Sequence, residues 1–194
     1  MIFNRNIVLE DSRILLRPVE PNDRDGLRSI FFDDEIWEYT VTKTSTEDEL
    51  TTFINDALYN KQNAVRYTFT IIDKISGEIA GSSSFGNLSE IDRCVEIGWS
   101  FMGRKFWGTH VNIHAKFQML QFAFEQMKMN RVEFKTDDAN PRSGRALIKI
   151  GCKKEGVLRS RHLLHNGRMR DTAYYSILAD EWENTKETVF AKLL

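Results

Sequence analysis

The chain has 194 residues, 41% of them hydrophobic and 11% aromatic, and sets 27 Lys and Arg against 28 Asp and Glu for a formal net charge of −1. That is enough apolar material for one sizeable core, so a single domain over residues 1–194 is expected, and the balanced charge gives no bulk attraction to nucleic acid or to an anionic membrane surface. The charged N-terminal segment reads as neither leader peptide nor membrane span, and the two cysteines, Cys94 and Cys152, lack metal-site spacing and fit a reducing, cytoplasmic compartment.

In chain order, Ile14 to Val19 reads as a strand closed by Pro21, followed by an acidic-capped helix from about Asn22 to Phe32 and a loop through Asp33 to Trp37. Ser45 or Thr46, with Glu49 behind it, forms a capping box for a helix reaching about Tyr59. Arg66 to Asp73 and Glu78 to Phe85 are β-rich and flank a Ser76-Gly77 turn, which predicts a hairpin. Val95, Ile97, Trp99 and Phe101 then alternate with Glu96, Gly98, Ser100 and Met102, the period of a partly buried strand, and Gly103 ends it. After Gly108 and Thr109 the period becomes helical, with Ile113, Phe117, Leu120, Phe124 and Met127 on one stripe. Arg131 to Thr136 alternates as a strand, a helix starts at Pro141 and stops at Gly151, two strands flank Asn166-Gly167, and Asp180 to Leu193 closes the chain as a helix. The order predicts an α/β (α+β) fold in which helices pack on a mixed sheet.

Two strand-to-helix junctions carry most of the functional information. At the first, Thr109 can cap the helix, whose first turn offers free backbone N–H groups and the positive end of a dipole, while Gly108 allows close approach and Arg104 and Lys105 add charge. That is an anion site, although an ordinary connection with two solvated basic residues looks the same. At the second, Asn140 can cap a helix that carries Ser143 in its first turn. Both helix N-termini fall on one side of the sheet, where open α/β sheets bind ligands.

Taken in order, Ile14 to Val19, Glu35-Ile36-Trp37, Glu96-Ile97-Gly98-Trp99, Lys105 to His110, Asn140 and Ser143 with Lys149 and Gly151, Glu155-Gly156, and Tyr175 to Ile177 before Glu181-Trp182 resemble the GNAT superfamily of acetyl-CoA-dependent N-acetyltransferases. The resemblance is to the branch that includes the ribosomal-protein alanine N-acetyltransferases, and it covers nearly the whole chain. It implies an acyl-CoA N-acyltransferase fold whose seven-stranded mixed sheet is splayed at its central strands and carries helices on both faces. It further implies that Arg104, Lys105, Trp107, Gly108, Thr109, His110 and Val111 wrap the pyrophosphate of coenzyme A through backbone N–H groups. Trp99, Ser100 and Phe101 would lend a strand edge to the pantetheine arm, Asn140 would hydrogen-bond the cofactor, and Ser143 would approach its sulfur. The family's loop pattern is Gln/Arg-x-x-Gly-x-Gly/Ala, so Lys105 and His110 depart from it and Gly108 alone matches strictly.

Acetyl transfer to an amine needs a base, stabilisation of an oxyanion and neutralisation of the leaving thiolate. Glu96 is the expected base, with a plain solvent-facing glutamate as the alternative; no tyrosine stands on the corresponding helix, which leaves Ser143 or a water as the acid. Trp37, Glu96 and His114 are the expected substrate contacts, and the acidic, aromatic-bearing stretch from Asp33 to Tyr39 suits a cationic amine. His110 and His114 have zinc-compatible spacing, but Val111 stands where a metalloprotease needs glutamate and no third ligand is evident, so no metal is expected. The basic stretch from Lys153 to Asp171 could meet the 3′-phosphate of coenzyme A, an acidic substrate or RNA, or be a solvated hairpin with cross-strand pairs. The expected acceptor is a small-molecule amine or a protein N-terminus. Trp182 and the apolar tail from Val189 to Leu194 pack on the core or on a second subunit of a homodimer. A non-catalytic acyl-CoA-binding module on the same fold is the rival reading.

Overall fold

The computed structural model describes residues 2–193, so Leu194 of the apolar tail lies outside the described residues. Its strands are β1 (Leu9–Glu10), β2 (Ile14–Pro18), β3 (Arg66–Asp73), β4 (Ile79–Ser89), β5 (Cys94–Met102), β6 (Arg131–Asp137), β7 (Lys153–Leu163) and β8 (Met169–Leu178). They form one sheet in the order β1-β2-β3-β4-β5-β6-β8-β7. The strand beyond the seven expected is β1, two residues pairing Leu9 with Leu16, too short to show a period in sequence. Every neighbouring pair is antiparallel except β5 and β6, which run parallel.

The helices are α1 (Arg24–Phe31), α2 (Glu47–Gln62), α3 (His110–Gln121), α4 (Pro141–Lys149) and α5 (Ala179–Val189). α2 starts at the expected capping box: Glu49 N–H donates to Thr46 Oγ1 and Thr46 N–H donates to Glu49 Oε2. Alternation along β3 divides the buried side chains. Tyr67, Phe69 and Ile71 join the larger cluster, which holds Phe117 and Leu120 of α3 and Trp182 of α5. On the other face, α1 and α2 bury Leu27, Phe31, Leu50 and Ile54 against Val19, Trp37 and Phe101. Each such side chain contributes about 2 kcal/mol by leaving water, so both faces of the sheet are held independently of the loops between them.

The apolar stripe that reads as one long helix ends in a wider turn. Phe122–Gln126 is π-helical, and Met127 N–H donates to Phe122 O. There Glu125 accepts from Trp182 Nε1 and Lys186 Nζ of α5. Trp182 stacks on Phe124 with ring centroids 5.2 Å apart, and Phe190 is fully buried. These two residues of the C-terminal segment therefore pack on the chain's own core.

Candidate active site

β5 and β6 pair at Cys94 with Arg131, Val95 with Val132 and Glu96 with Glu133, and there the pairing stops. β5 continues to Met102 and β6 to Asp137, so the strands part and leave a cavity of about 1010 Å³ between them. α3 supplies Asn112 and Lys116 to its wall, and α4 supplies Arg142, Ser143 and Leu147.

The parting coincides with a bulge. Ser82 pairs with Phe101 and Ser84 with Gly98, so Trp99 and Ser100 stand opposite Ser83 alone. Trp99 takes the extra turn with φ 48°, an unusual value for an aromatic residue. Its ring is fixed by two neighbours. A Cβ at Gly86 would lie 2.5 Å from the ring, which only glycine permits, and the Arg66 guanidinium lies 5.1 Å from the ring centroid. The bulge withdraws two residues of β5 from regular ladder pairing at the cavity wall.

Glu96 closes the narrow end. Its carboxylate is buried; Oε2 accepts from Lys135 Nζ at 2.6 Å and from Asn87 Nδ2 at 2.7 Å. Oε1 lies against Gly98, where a Cβ would come within 2.9 Å of it, and accepts no hydrogen bond among the described residues. Burial works against the Lys135 ammonium, but the hydrogen bond and charge of Glu96 outweigh it and raise its pKa.

At the wide end, Gly103 leads into a short 3-10 turn, Arg104–Phe106, and Gly108 has φ +73° with open space around a would-be Cβ. Thr109 caps α3: its Oγ1 donates to Phe106 O at 2.8 Å and accepts from Val111 N–H at 3.4 Å. The formal charges expected here are already engaged. Arg104 pairs with Asp33 and Glu35, and Lys105 with Glu78. Arg142 of α4 has its guanidinium 3.5 Å from the Trp107 ring centroid and faces the cavity, in no ion pair among the described residues. Asn140 caps α4 by accepting from Ser143 N–H at 3.0 Å. Ser143 lines the cavity with an Oγ that makes no hydrogen bond among the described residues.

Of the sequence-predicted residues, the cavity gathers Trp37, Glu96, Trp99, Ser100, Phe101, Trp107, Gly108, Asn140 and Ser143. Trp37 is 1% exposed, its Nε1 donates to Phe31 O, and its ring packs on Phe101, so it forms a wall through apolar contact. Arg104, Lys105, Thr109, His110, Val111 and His114 do not line the cavity. His110 Nε2 lies 3.0 Å from Asp73 Oδ1, and His114 Nδ1 lies 2.7 Å from Asp11 Oδ2. Both rings therefore point toward carboxylates, and the expectation that His114 meets substrate is not supported by its position. No group of His, Cys, Asp and Glu that could hold a metal ion occurs among the described residues.

Sequence reading missed Lys116, Arg66 and Lys135, and took in Arg170 only as part of the basic stretch that could meet an acidic substrate. Lys116 is 6% exposed; its Nζ donates to Ser100 Oγ at 2.7 Å and Ser83 Oγ at 3.1 Å, and burial lowers its pKa to about 8. A signal existed: it sits four residues after Asn112 and one after buried Ala115, near the apolar stripe. In the basic hairpin Lys153, Lys154 and Arg168 pair with carboxylates outside the hairpin, Glu181, Asp138 and Asp137, rather than across its strands, while Arg161, His162 and Arg170 line the cavity.

Residues 13–153 match the model of the acetyltransferase (GNAT) domain family. The chain is 29% identical over 179 residues to the uncharacterized N-acetyltransferase p20 of Bacillus licheniformis, covering 90% of this chain and 97% of that one. It is 26% identical over 126 residues to the ribosomal protein uS5-alanine N-acetyltransferase of Escherichia coli (strain K12), covering 64% of this chain and 63% of that protein. The crystal structure of a GCN5-related N-acetyltransferase from Brucella melitensis superposes with a TM-score of 0.89 over 98% of this chain and 86% of that one, at 24% identity. Among the described residues no helix is long and apolar enough to cross a membrane.

Proposed function

The chain belongs to the GNAT acetyltransferase family, and from that premise we propose that it moves an acetyl group from acetyl-CoA to a primary amine, by direct attack, in the cytoplasm. The observation that carries this reading is the parting of β5 from β6 immediately after Glu96, with the bulge at Trp99 and two helix N-termini opening on the same gap.

The residues fit a coenzyme A ester. Gly108, at positive φ with open space around it, leaves the backbone before α3 accessible to a pyrophosphate, and α3 opens there with unpaired N–H groups. Arg142 adds the free cation that Arg104 and Lys105 no longer offer. Trp99, Ser100 and Phe101 would border the pantetheine arm, and Asn140 would donate to it through Nδ2, because its Oδ1 is held by the cap. When bound, acetyl-CoA supplies an activated acyl group with a thiolate leaving group.

Glu96 would hold the incoming amine at Oε1, the oxygen without a partner, and take its proton. Lys135 and Asn87 keep the carboxylate in place through Oε2. Ser143, or a water beside it, would deliver a proton to the departing thiolate. Neither thiol supports a covalent relay: burial pushes Cys94 up to about 11 and Cys152 higher still, and neither lines the cavity. Incubating the protein with acetyl-CoA and a panel of amines and peptides, and measuring thiol release together with N-acetylated product, tests the proposal. Tight coenzyme A binding without acetylation of any primary amine would leave only the non-catalytic reading.

A further inference from the structure

We propose that the acceptor is an amine that also carries a carboxylate, of the amino-acid class, with its nitrogen at Glu96 and its carboxylate at Arg66, in a positive field to which Arg170 adds from the opposite wall of the cavity. The inference rests on the acetyl-transfer reading above and concerns the acceptor end of the same cavity.

The sheet register puts the two functions side by side. Arg66 pairs with Gly86 and Gly86 with Glu96, so Arg66 and Glu96 stand on one rung, two strands apart, a spacing of about 10 Å at the backbone that the arginine side chain can largely close. On the other side of Glu96, Lys135 pairs with Tyr174, and His162 pairs with Arg170 where the β7–β8 hairpin turns toward the cavity.

The guanidinium groups here lack anionic partners. Arg66 is in no ion pair among the described residues, its Nε is buried without a hydrogen bond, and its contact is the Trp99 face. Asp56 acts on it only through space. Arg170 Nε donates to Thr172 Oγ1 at 3.0 Å, and its other nitrogens are in no ion pair among the described residues. The carboxylates that could have neutralised it are committed elsewhere, Asp137 to Arg168 and Glu96 to Lys135. Burial holds both arginines below their ordinary pKa. A half-buried guanidinium without an anionic partner is costly, and a planar carboxylate is the ligand its paired donors match.

The same charges oppose the other acceptor classes. A polyamine or aminoglycoside would bring several ammonium groups against Arg66, Lys135, Arg161 and Arg170, with Glu96 already half satisfied by Lys135. A basic protein N-terminus would meet the same repulsion. Asp48, Glu49 and Asp56 also line the cavity from α2; Glu49 is held in the capping box, and Asp56 acts on Arg66 through space without pairing with it.

The test compares matched acceptors with acetyl-CoA as donor: L-amino acids such as phenylalanine, methionine and glutamate, their α-amides, their decarboxylated amines, spermidine, and a short peptide with a free N-terminus. The expected result is a kcat/KM for the acids at least about tenfold above that for their amides and amines, the effect of one charged hydrogen-bonded contact. Arg66→Gln is expected to erase most of that preference and Arg170→Gln a smaller part of it, chiefly through KM for the acid, with thermal melts confirming that both variants fold. Equal or better turnover of amides, spermidine or the peptide, or variants that leave the preference intact, would overturn the proposal. No acetylation of any acceptor despite coenzyme A binding would instead remove the acetyl-transfer reading on which it rests.

Discussion

Lys135 Nζ lies 2.6 Å from Oε2 of Glu96, at the point where two parallel strands stop pairing. The ion pair sits where regular backbone pairing has just been lost, and it holds an ammonium against a carboxylate in a largely dry place. Because Lys135 is held above its ordinary pKa, its contribution is complete below the unfolded lysine value and fades only as pH rises through the folded one. Across the neutral range the pair is intact.

Replacing Glu96 with Gln should lower turnover by roughly 10²- to 10⁴-fold, the usual loss for a general base, with little change in coenzyme A affinity. It also takes from the Lys135 ammonium its nearest carboxylate, leaving Glu133 Oε2 at 3.8 Å, so stability should fall by about 1–3 kcal/mol. The double variant Glu96→Gln with Lys135→Met separates the two effects. Denaturant unfolding should show stability recovered while turnover stays low; activity returning along with stability would mean that Glu96 is structural only.

Gly108 gives a sharper test of the loop. With φ +73° and open space around it, Gly108→Ala meets no clash and carries only backbone strain of about 1 kcal/mol. Gly108→Val adds a β-branched side chain at the same φ, where the backbone would meet a pyrophosphate. Calorimetric titration with coenzyme A should show a small loss for the alanine variant and a loss of tenfold or more, about 1.4 kcal/mol, for the valine variant. Equal affinities in all three proteins would move the phosphate site elsewhere.

His110 breaks the family's loop pattern, yet its ring turns to Asp73 and away from the cavity. Asp73, with its pKa lowered against the cost of burial by Ser76 and His110, is tied to the β3–β4 turn as well. His110→Ala should therefore cost about 1 kcal/mol of stability, the worth of one hydrogen bond, and leave coenzyme A affinity within about twofold, less than 0.5 kcal/mol. Comparing thermal melts with cofactor titrations checks both halves. A marked gain in affinity on removing the ring would show that the side chain obstructs the loop.

Local features were readable in sequence because local chemistry sets them. The Thr46–Glu49 capping box, Thr109 and Asn140 as caps, and the strand from Cys94 to Met102 depend on residues a few positions apart. The bulge at Trp99 was hidden, since the period-two pattern continues through it and only the register against β4 reveals the extra residue. Charge assignments failed for a related reason. Arg104 and Lys105 looked free because their partners, Asp33, Glu35 and Glu78, are distant in sequence. Arg170 read as part of a solvated hairpin because the strands that enclose it are equally remote, and Arg66 read only as the start of a strand.

Lys116 offers the strongest pH signature. Burial lowers its pKa to about 8, against a thiol in Cys152 that can assist only if ionised, and its partners are the neutral hydroxyls of Ser83 and Ser100. A lysine depressed on folding makes the charged form costly. Below about pH 8 both states hold the proton and the cost is carried in full; between there and the unfolded value near 10.5 the native state has shed it, so this residue's contribution rises with pH. Lys116→Met should therefore stabilise the protein at pH 7 by roughly 1–3 kcal/mol, and the gain should shrink toward pH 10. Turnover should fall, because the ammonium ties α3 to Ser100 of the bulge, so a group costly to the fold would be serving the site. Urea unfolding of both proteins at several pH values reads the first effect and steady-state kinetics the second. A stability difference that does not change with pH would show that Lys116 titrates as an ordinary lysine.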